Sequence, residues 1–118
     1  MRVAALVDDL MDRSRLTQAM PSATFARDVG EIGTVDVVVV DLARHGAALA
    51  QLRAAHPDAR LVGFGPHVDT ETLAAARAAG ADLVLPRSQF FRDPAAALAP
   101  RPEVMPPSDR AGSGGSGS

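Results

Sequence analysis

The sequence predicts a single α/β domain, one parallel sheet with helices packed on both of its faces. Three observations predict it. The stretch Thr34-Val35-Asp36-Val37-Val38-Val39-Val40-Asp41-Leu42 is dominated by β-branched residues and shows no alternation of apolar and polar positions. Such a run suits a strand covered on both faces, the setting of a central strand in a parallel sheet. A second apolar run, Val3-Ala4-Ala5-Leu6-Val7, has the same character, and both runs end on acids, Asp8-Asp9 and Asp41. Between and beyond them lie segments of helical spacing closed by Pro or Gly.

The first strand is expected over Arg2–Val7. Asp8 and Asp9 end it, and a helix follows to Met20, with Leu10, Met11, Leu16 and Met20 at roughly helical spacing and Asp12, Arg13, Arg15 and Gln18 between them. Either acid also suits the N-cap of that helix, the plainer role for both. Pro21 stops it. Ser22–Ala26 reads as a short strand, and Arg27–Thr34, broken by Asp28, Gly30 and Gly33, as a loop or stunted helix. After the central strand, a helix over about Gly46–His56 turns Leu49, Leu52 and Ala48 inward and ends at Pro57. Arg60–Phe64 is the fourth strand and Gly65-Pro66-His67 a turn. Asp69 or Thr70 caps the next helix, which Gly80 stops. Asp82–Leu85 is the fifth strand, terminated by Pro86. A last helix starts near Phe90 or Asp93, with Pro94 in its first turn, and runs to Pro100.

These elements place one domain in residues 1–100. Residues 101–118 change character: Pro102, Pro106 and Pro107 precede Gly112-Ser113-Gly114-Gly115-Ser116-Gly117-Ser118, which reads as a flexible linker or the remnant of a fusion. The chain has no Cys, which excludes disulfides, thiolate chemistry and cysteine metal sites. All twelve basic residues are Arg. Schiff-base chemistry and a Walker lysine are thereby excluded. A net charge of −2 and only four aromatic residues, all Phe, argue against a nucleic-acid partner. No run of eighteen apolar residues and no leader pattern is present, so a cytoplasmic protein without a membrane span is expected.

In open α/β sheets ligands collect outside the carboxyl ends of the strands. If the two strongest strands are central and parallel, Asp8, Asp9 and Asp41 converge there. The order of elements is that of the flavodoxin-like sheet, five parallel strands in the order 2-1-3-4-5, here with a shortened or missing second helix. Asp8-Asp9 with Arg13 and Leu16 after it, Val37-Val38-Val39-Val40-Asp41-Leu42, and Ala78-Ala79-Gly80-Ala81-Asp82-Leu83-Val84-Leu85-Pro86-Arg87 together resemble the receiver domains of response regulators over about residues 2 to 98. The resemblance implies that Asp8 and Asp9, with Asp41, hold Mg²⁺ and that Asp41 accepts a phosphoryl group. It also implies a hydroxyl residue after the fourth strand and a Lys after the fifth. This chain departs at both places, with Gly65 and Arg87, and Ser88 replaces the Pro that usually follows. Ala43-Arg44-His45-Gly46 stands where the family's Met-Pro and Gly turn belongs.

The departures matter physically. Gly65 offers nothing for a phosphoryl oxygen to recruit; equally, it is a plain strand-to-turn glycine before Pro66. Arg87 keeps a charge and five donors but lacks the compact ammonium of Lys, and is expected to pair with Asp41 or Asp9 and hold the site in one state. The expected function is a non-enzymatic signalling module, an atypical receiver acting through protein contacts with little dependence on phosphorylation. Its expected partner is another protein or a second copy, bound through the last strand and flanking helices and an exposed apolar patch around Leu83, Leu85, Phe90, Phe91 and Leu98. Of the adjacent pair Phe90-Phe91, one is expected to meet that partner. The nearest alternative is a phospho-accepting receiver, using Asp41 and Mg²⁺ and served by a histidine kinase. A third is a small-ligand domain on the same scaffold. His45 and His67 fall in loops at the carboxyl end of the sheet. They read as solvated, with a two-His-plus-carboxylate metal site the sharper alternative.

Overall fold

The computed structural model describes residues 1–99; the tail expected over residues 101–118 lies outside them. Five parallel strands form one sheet in the order β2-β1-β3-β4-β5: β1 Val3–Leu6, β2 Thr24–Phe25, β3 Val37–Asp41, β4 Arg60–Gly65 and β5 Leu83–Pro86. This is the doubly wound, flavodoxin-like order. β1 and β3 are buried along their whole length, the result expected of apolar runs without alternation. One face packs Ala4, Leu6, Val38, Val40 and Leu61 against Leu49, Leu52 and Ala76. The other packs Val3, Ala5, Val7, Val39 and Phe64 against Leu16, Phe90 and Leu98.

The helices are α1 Leu10–Ala19, α2 Leu42–His45, α3 Leu49–Ala55, α4 Thr70–Ala78, α5 Arg87–Arg92 and α6 Pro94–Leu98. Leu49 and Leu52 turn inward as their spacing predicts, with Ala48 packed beside them. That segment is divided, however. α2 begins directly on the end of β3, and a 3-10 turn over Gly46–Ala48 separates it from α3. α2 lies low on the sheet because Gly63, in the middle of β4, has no side chain. A Cβ there would come within 2.8 Å of the Leu42 side chain. The short stretch after β2 folds as a single 3-10 turn, Val29–Glu31, capped by Asp28. Its Val29, with Ile32, covers the sheet where a full helix would otherwise stand.

The Gly80-Ala81-Asp82 segment shows why its residue types are needed. Gly80 has a φ of 112°, which L side chains rarely adopt. Arg53 crosses directly over it and donates to the carbonyls of Gly80, His56, Pro57 and Ala59. The same guanidinium donates to Asp82 at 2.8 Å, and Asp82 also accepts the Leu61 amide at 2.8 Å, tying β5 to β4. A Cβ at Gly80 would stand 2.7 Å from Arg53 Cγ. Gly80→Ala is therefore expected to cost about 2–3 kcal/mol through strain and displacement of Arg53. Urea unfolding would show it as a lower midpoint at unchanged slope.

Two expectations about α1 and the C-terminal helices are corrected. Leu10 and Met11 do not face the core: they are 78% and 65% exposed, and the buried pair of α1 is Asp12 and Leu16. Positions four apart share a helix face, and here a paired carboxylate takes one of them. Pro86 does not separate β5 from a distant helix either. It stands as the residue before α5, an additional helix that starts at Arg87, while the last helix is α6, capped by Asp93 with Pro94 in its first turn as expected. Among the described residues no helix is long and apolar enough to cross a membrane.

Candidate functional site

The carboxyl ends of β1 and β3 place Asp8, Asp9 and Asp41 on the same edge of the sheet, since the two strands pair in register from Val3–Val37 to Leu6–Val40. Each carboxylate is engaged within the chain. Asp9 caps α1: its Oδ1 accepts the amides of Met11 at 2.9 Å and Asp12 at 3.0 Å. The Asp12 amide is the main cause of a lowered Asp9 pKa, with the Met11 amide and the charges of Arg87 and Arg44 acting the same way. Asp41 is 8% exposed and caps α2 through Ala43, whose amide lies 3.1 Å from Oδ1. Asp8 Oδ2 lies 3.1 Å from His45 Nε2. His45 is thus a half-buried partner of Asp8 rather than a solvated loop residue.

Arg87 does not pair with Asp41 or Asp9. Its guanidinium makes a two-point contact with Asp12, from Nη2 to Oδ1 and from Nε to Oδ2 at 3.2 Å. The contact joins the start of α5 to the buried face of α1. Asp12 holds the Arg87 pKa above its ordinary value, and the charges of Asp9 and Asp41 add to the effect. A fork-to-carboxylate pair of this kind is directional as well as strong. Sequence reading passes over Asp12, because an Asp between Met11 and Arg13 looks solvated and its partner lies 75 positions away. The available signal is its place four residues before Leu16.

Phe91 completes this corner. It lies edge-on to Phe64 and Phe90, and the guanidinium carbons of Arg15 and Arg87 sit 5.8 and 5.7 Å from its ring centre. Phe90 is fully buried and stacks on Phe64 at 5.0 Å. The exposed apolar patch expected around Leu83, Leu85, Phe90, Phe91 and Leu98 is not present. Phe90 and Leu98 are 0% exposed, and the other three are half-buried against the same core. Two adjacent Phe are accommodated because one enters the core while arginines cover the other.

Gly65 ends β4, where a Cβ would meet only ordinary contacts, 3.7 Å to the His67 carbonyl and 4.0 Å to Leu42. The backbone thus has room for a hydroxyl residue. The donor set of Asp8, Asp9 and Asp41 is chemically right for a hard cation such as Mg²⁺. Among the described residues no three His, Asp or Glu side chains form a group able to hold a metal ion. What the corner does provide is a charge-paired, hydrogen-bonded link from the strand ends to α1, α2 and α5.

Solved structures share this fold. A response regulator of Burkholderia pseudomallei, with a phosphorylated aspartic acid, a calcium ion and citrate, matches at a TM-score of 0.71 and 20% identity. The match covers 83% of this chain and 66% of that one, so the present chain spans slightly less than two thirds of it. A response regulator of Thermotoga maritima matches at a TM-score of 0.62 and 17% identity over 73% of this chain and 83% of its own. A Burkholderia pseudomallei protein described as related to pilus assembly matches at 0.65 and 18% over 83% and 86%. At these identities the likeness is one of fold. No family model and no curated protein matches the sequence.

Proposed function

We propose that this chain is a receiver-like signalling module that works through protein contacts, with little dependence on phosphorylation and no enzymatic role of its own. The observation that carries this reading is the Arg87–Asp12 pair. The cation at the end of β5 is bound to a buried carboxylate on α1 instead of facing Asp41. Gly65 adds to it by offering no hydroxyl at the end of β4. A site with its cation committed and a recruiting hydroxyl missing suits one fixed arrangement better than a phosphoryl-driven change. The partner is a cytoplasmic protein or a second copy of the chain. It meets β5 and the flanking helices.

A second reading keeps Asp41 as a phospho-acceptor with Mg²⁺ held by Asp8, Asp9 and Asp41 and a histidine kinase as donor. It is favoured by the shared sheet edge of those residues and by the phosphorylated aspartic acid and calcium ion of the Burkholderia response regulator. It requires Asp8 to leave His45 and Arg87 to leave Asp12. Intact-mass measurement after incubation with acetyl phosphate and Mg²⁺ separates the two. The parent chain is expected to keep its mass. A phosphoryl adduct on the parent that Asp41→Asn abolishes would establish the second reading instead.

A further inference from the structure

At the amino ends of the strands, the sheet edge opposite Asp8 and Asp41, lies a cavity of about 520 Å³. Met1, Val35, Asp36, Val37, Asp58 and Arg60 line it. The short β2–β3 link leaves it open: in place of a crossover helix leading into β3, a single 3-10 turn stands there. Gly33, Thr34 and Val35, at the end of that link, line two adjoining hollows of about 380 and 340 Å³.

The backbone around the cavity is fixed. The Arg60 amide donates to the Asp36 carbonyl at 2.8 Å, and the Asp36 amide to the Arg2 carbonyl at 2.9 Å. Its charged side chains, by contrast, are not paired with one another. Asp36 accepts the Arg2 amide on Oδ2 at 2.7 Å; among the described residues no donor reaches its Oδ1 or either oxygen of Asp58. Neither acid forms an ion pair with Arg60 or the Met1 amine. Arg60 makes one long side-chain bond, from Nη2 to the Ala97 carbonyl at 3.4 Å, and its Nε is buried without an acceptor. A buried donor left unsatisfied costs free energy, which an incoming acceptor recovers.

We propose that this cavity binds an apolar α-amino acid. Arg60 turns to take its carboxylate in a two-point contact. Asp58 and the open oxygen of Asp36 take its ammonium, and Val35, Val37 and Met1 meet its side chain. The volume lies within the roughly 300–1,000 Å³ of small-molecule sites, and apolar walls with a few charged groups are their usual lining. A plain anion is disfavoured by the two acids and a plain amine by Arg60, whereas a zwitterion answers both. The site is at the far end of the strands from Asp41, so it stands or falls separately from the reading above.

Amide proton–nitrogen correlation spectra of the full chain, titrated with L-leucine and with L-phenylalanine, test it. Both amino acids are expected to shift the amides of Asp36, Asp58 and Arg60 saturably and to leave those of Asp9 and Asp41 in place. Isocaproate, which is leucine without its amine, and isoamylamine, leucine without its carboxylate, are each expected to bind at least about tenfold more weakly, the loss of one charge-assisted contact. Arg60→Gln is expected to make leucine bind no better than isoamylamine. Asp58→Asn is expected to weaken leucine without weakening isocaproate. The proposal is overturned if neither amino acid gives a saturable shift up to its solubility limit, or if the two truncated analogues bind as tightly as leucine. An Arg60→Gln variant that still prefers leucine to isoamylamine overturns it too. The parent titrations alone decide the matter if a variant does not fold.

Discussion

Phe90→Ala is expected to lower the unfolding free energy by about 3–5 kcal/mol, the range for emptying a fully buried aromatic site. Phe90 is 0% exposed, stacks on Phe64 with an interplanar angle of 18° and meets Phe91 edge-on. The cavity would lie between α5 and the sheet, where Phe64 and Leu98 are equally buried and have no free surface from which to move in. Phe91→Ala is the contrast. Its ring is half-buried beneath two arginines, and its loss costs clearly less. Thermal and urea unfolding of the two variants side by side would check the ordering, and a Phe91 effect as large as that of Phe90 would contradict the packing described.

Arg87→Ala is expected to cost about 3 kcal/mol, the low end of the range for breaking a buried pair by removing one partner. The destabilisation comes from what remains: Asp12, at 2% exposure, is left as a buried carboxyl group without its guanidinium partner. The low end applies because the Arg87 side of the pair is partly open to water, which relieves some of the penalty. Removing both charges is a different experiment. Asp12→Leu with Arg87→Met puts apolar groups in both places and is expected to be neutral or stabilising, as for other buried pairs replaced by packed side chains. Urea unfolding of parent, single and double variants decides it. A double variant no more stable than Arg87→Ala would mean the corner depends on the charges themselves.

The sheet could be read in the sequence because its strands are buried on both faces. Val37–Val40 and Val3–Leu6 carry no polar position that would suggest another conformation. The helix caps were legible for a similar reason: Asp9 and Asp69 act on amides two or three residues away. The Arg87–Asp12 pair was not, because neither residue is apolar and the pairing depends on where α1 and α5 meet. The same cause misplaced Leu10 and Met11. Apolar side chains in an amphipathic helix are assigned inward, but the buried charge at Asp12 fixes the rotation of α1 and leaves them in solvent. Pro86 misled in the opposite direction. It ends β5 as expected, yet its φ of −57° leads straight into a helix. The acidic residues were legible as a set at one sheet edge, but their present partners, His45 for Asp8 and the cap amides for Asp9 and Asp41, became visible only in three dimensions.

The two borders of the sheet limit how the molecule can associate. On one side β2 contributes two residues, too few unsatisfied peptide groups to template an incoming chain. On the other, β5 has four, and the last is Pro86, which has no amide hydrogen to offer. Extension of the ladder by a neighbour's backbone is therefore discouraged at both ends. Recognition is left to side chains, which can be selective, and stacking into continuous fibrils is disfavoured.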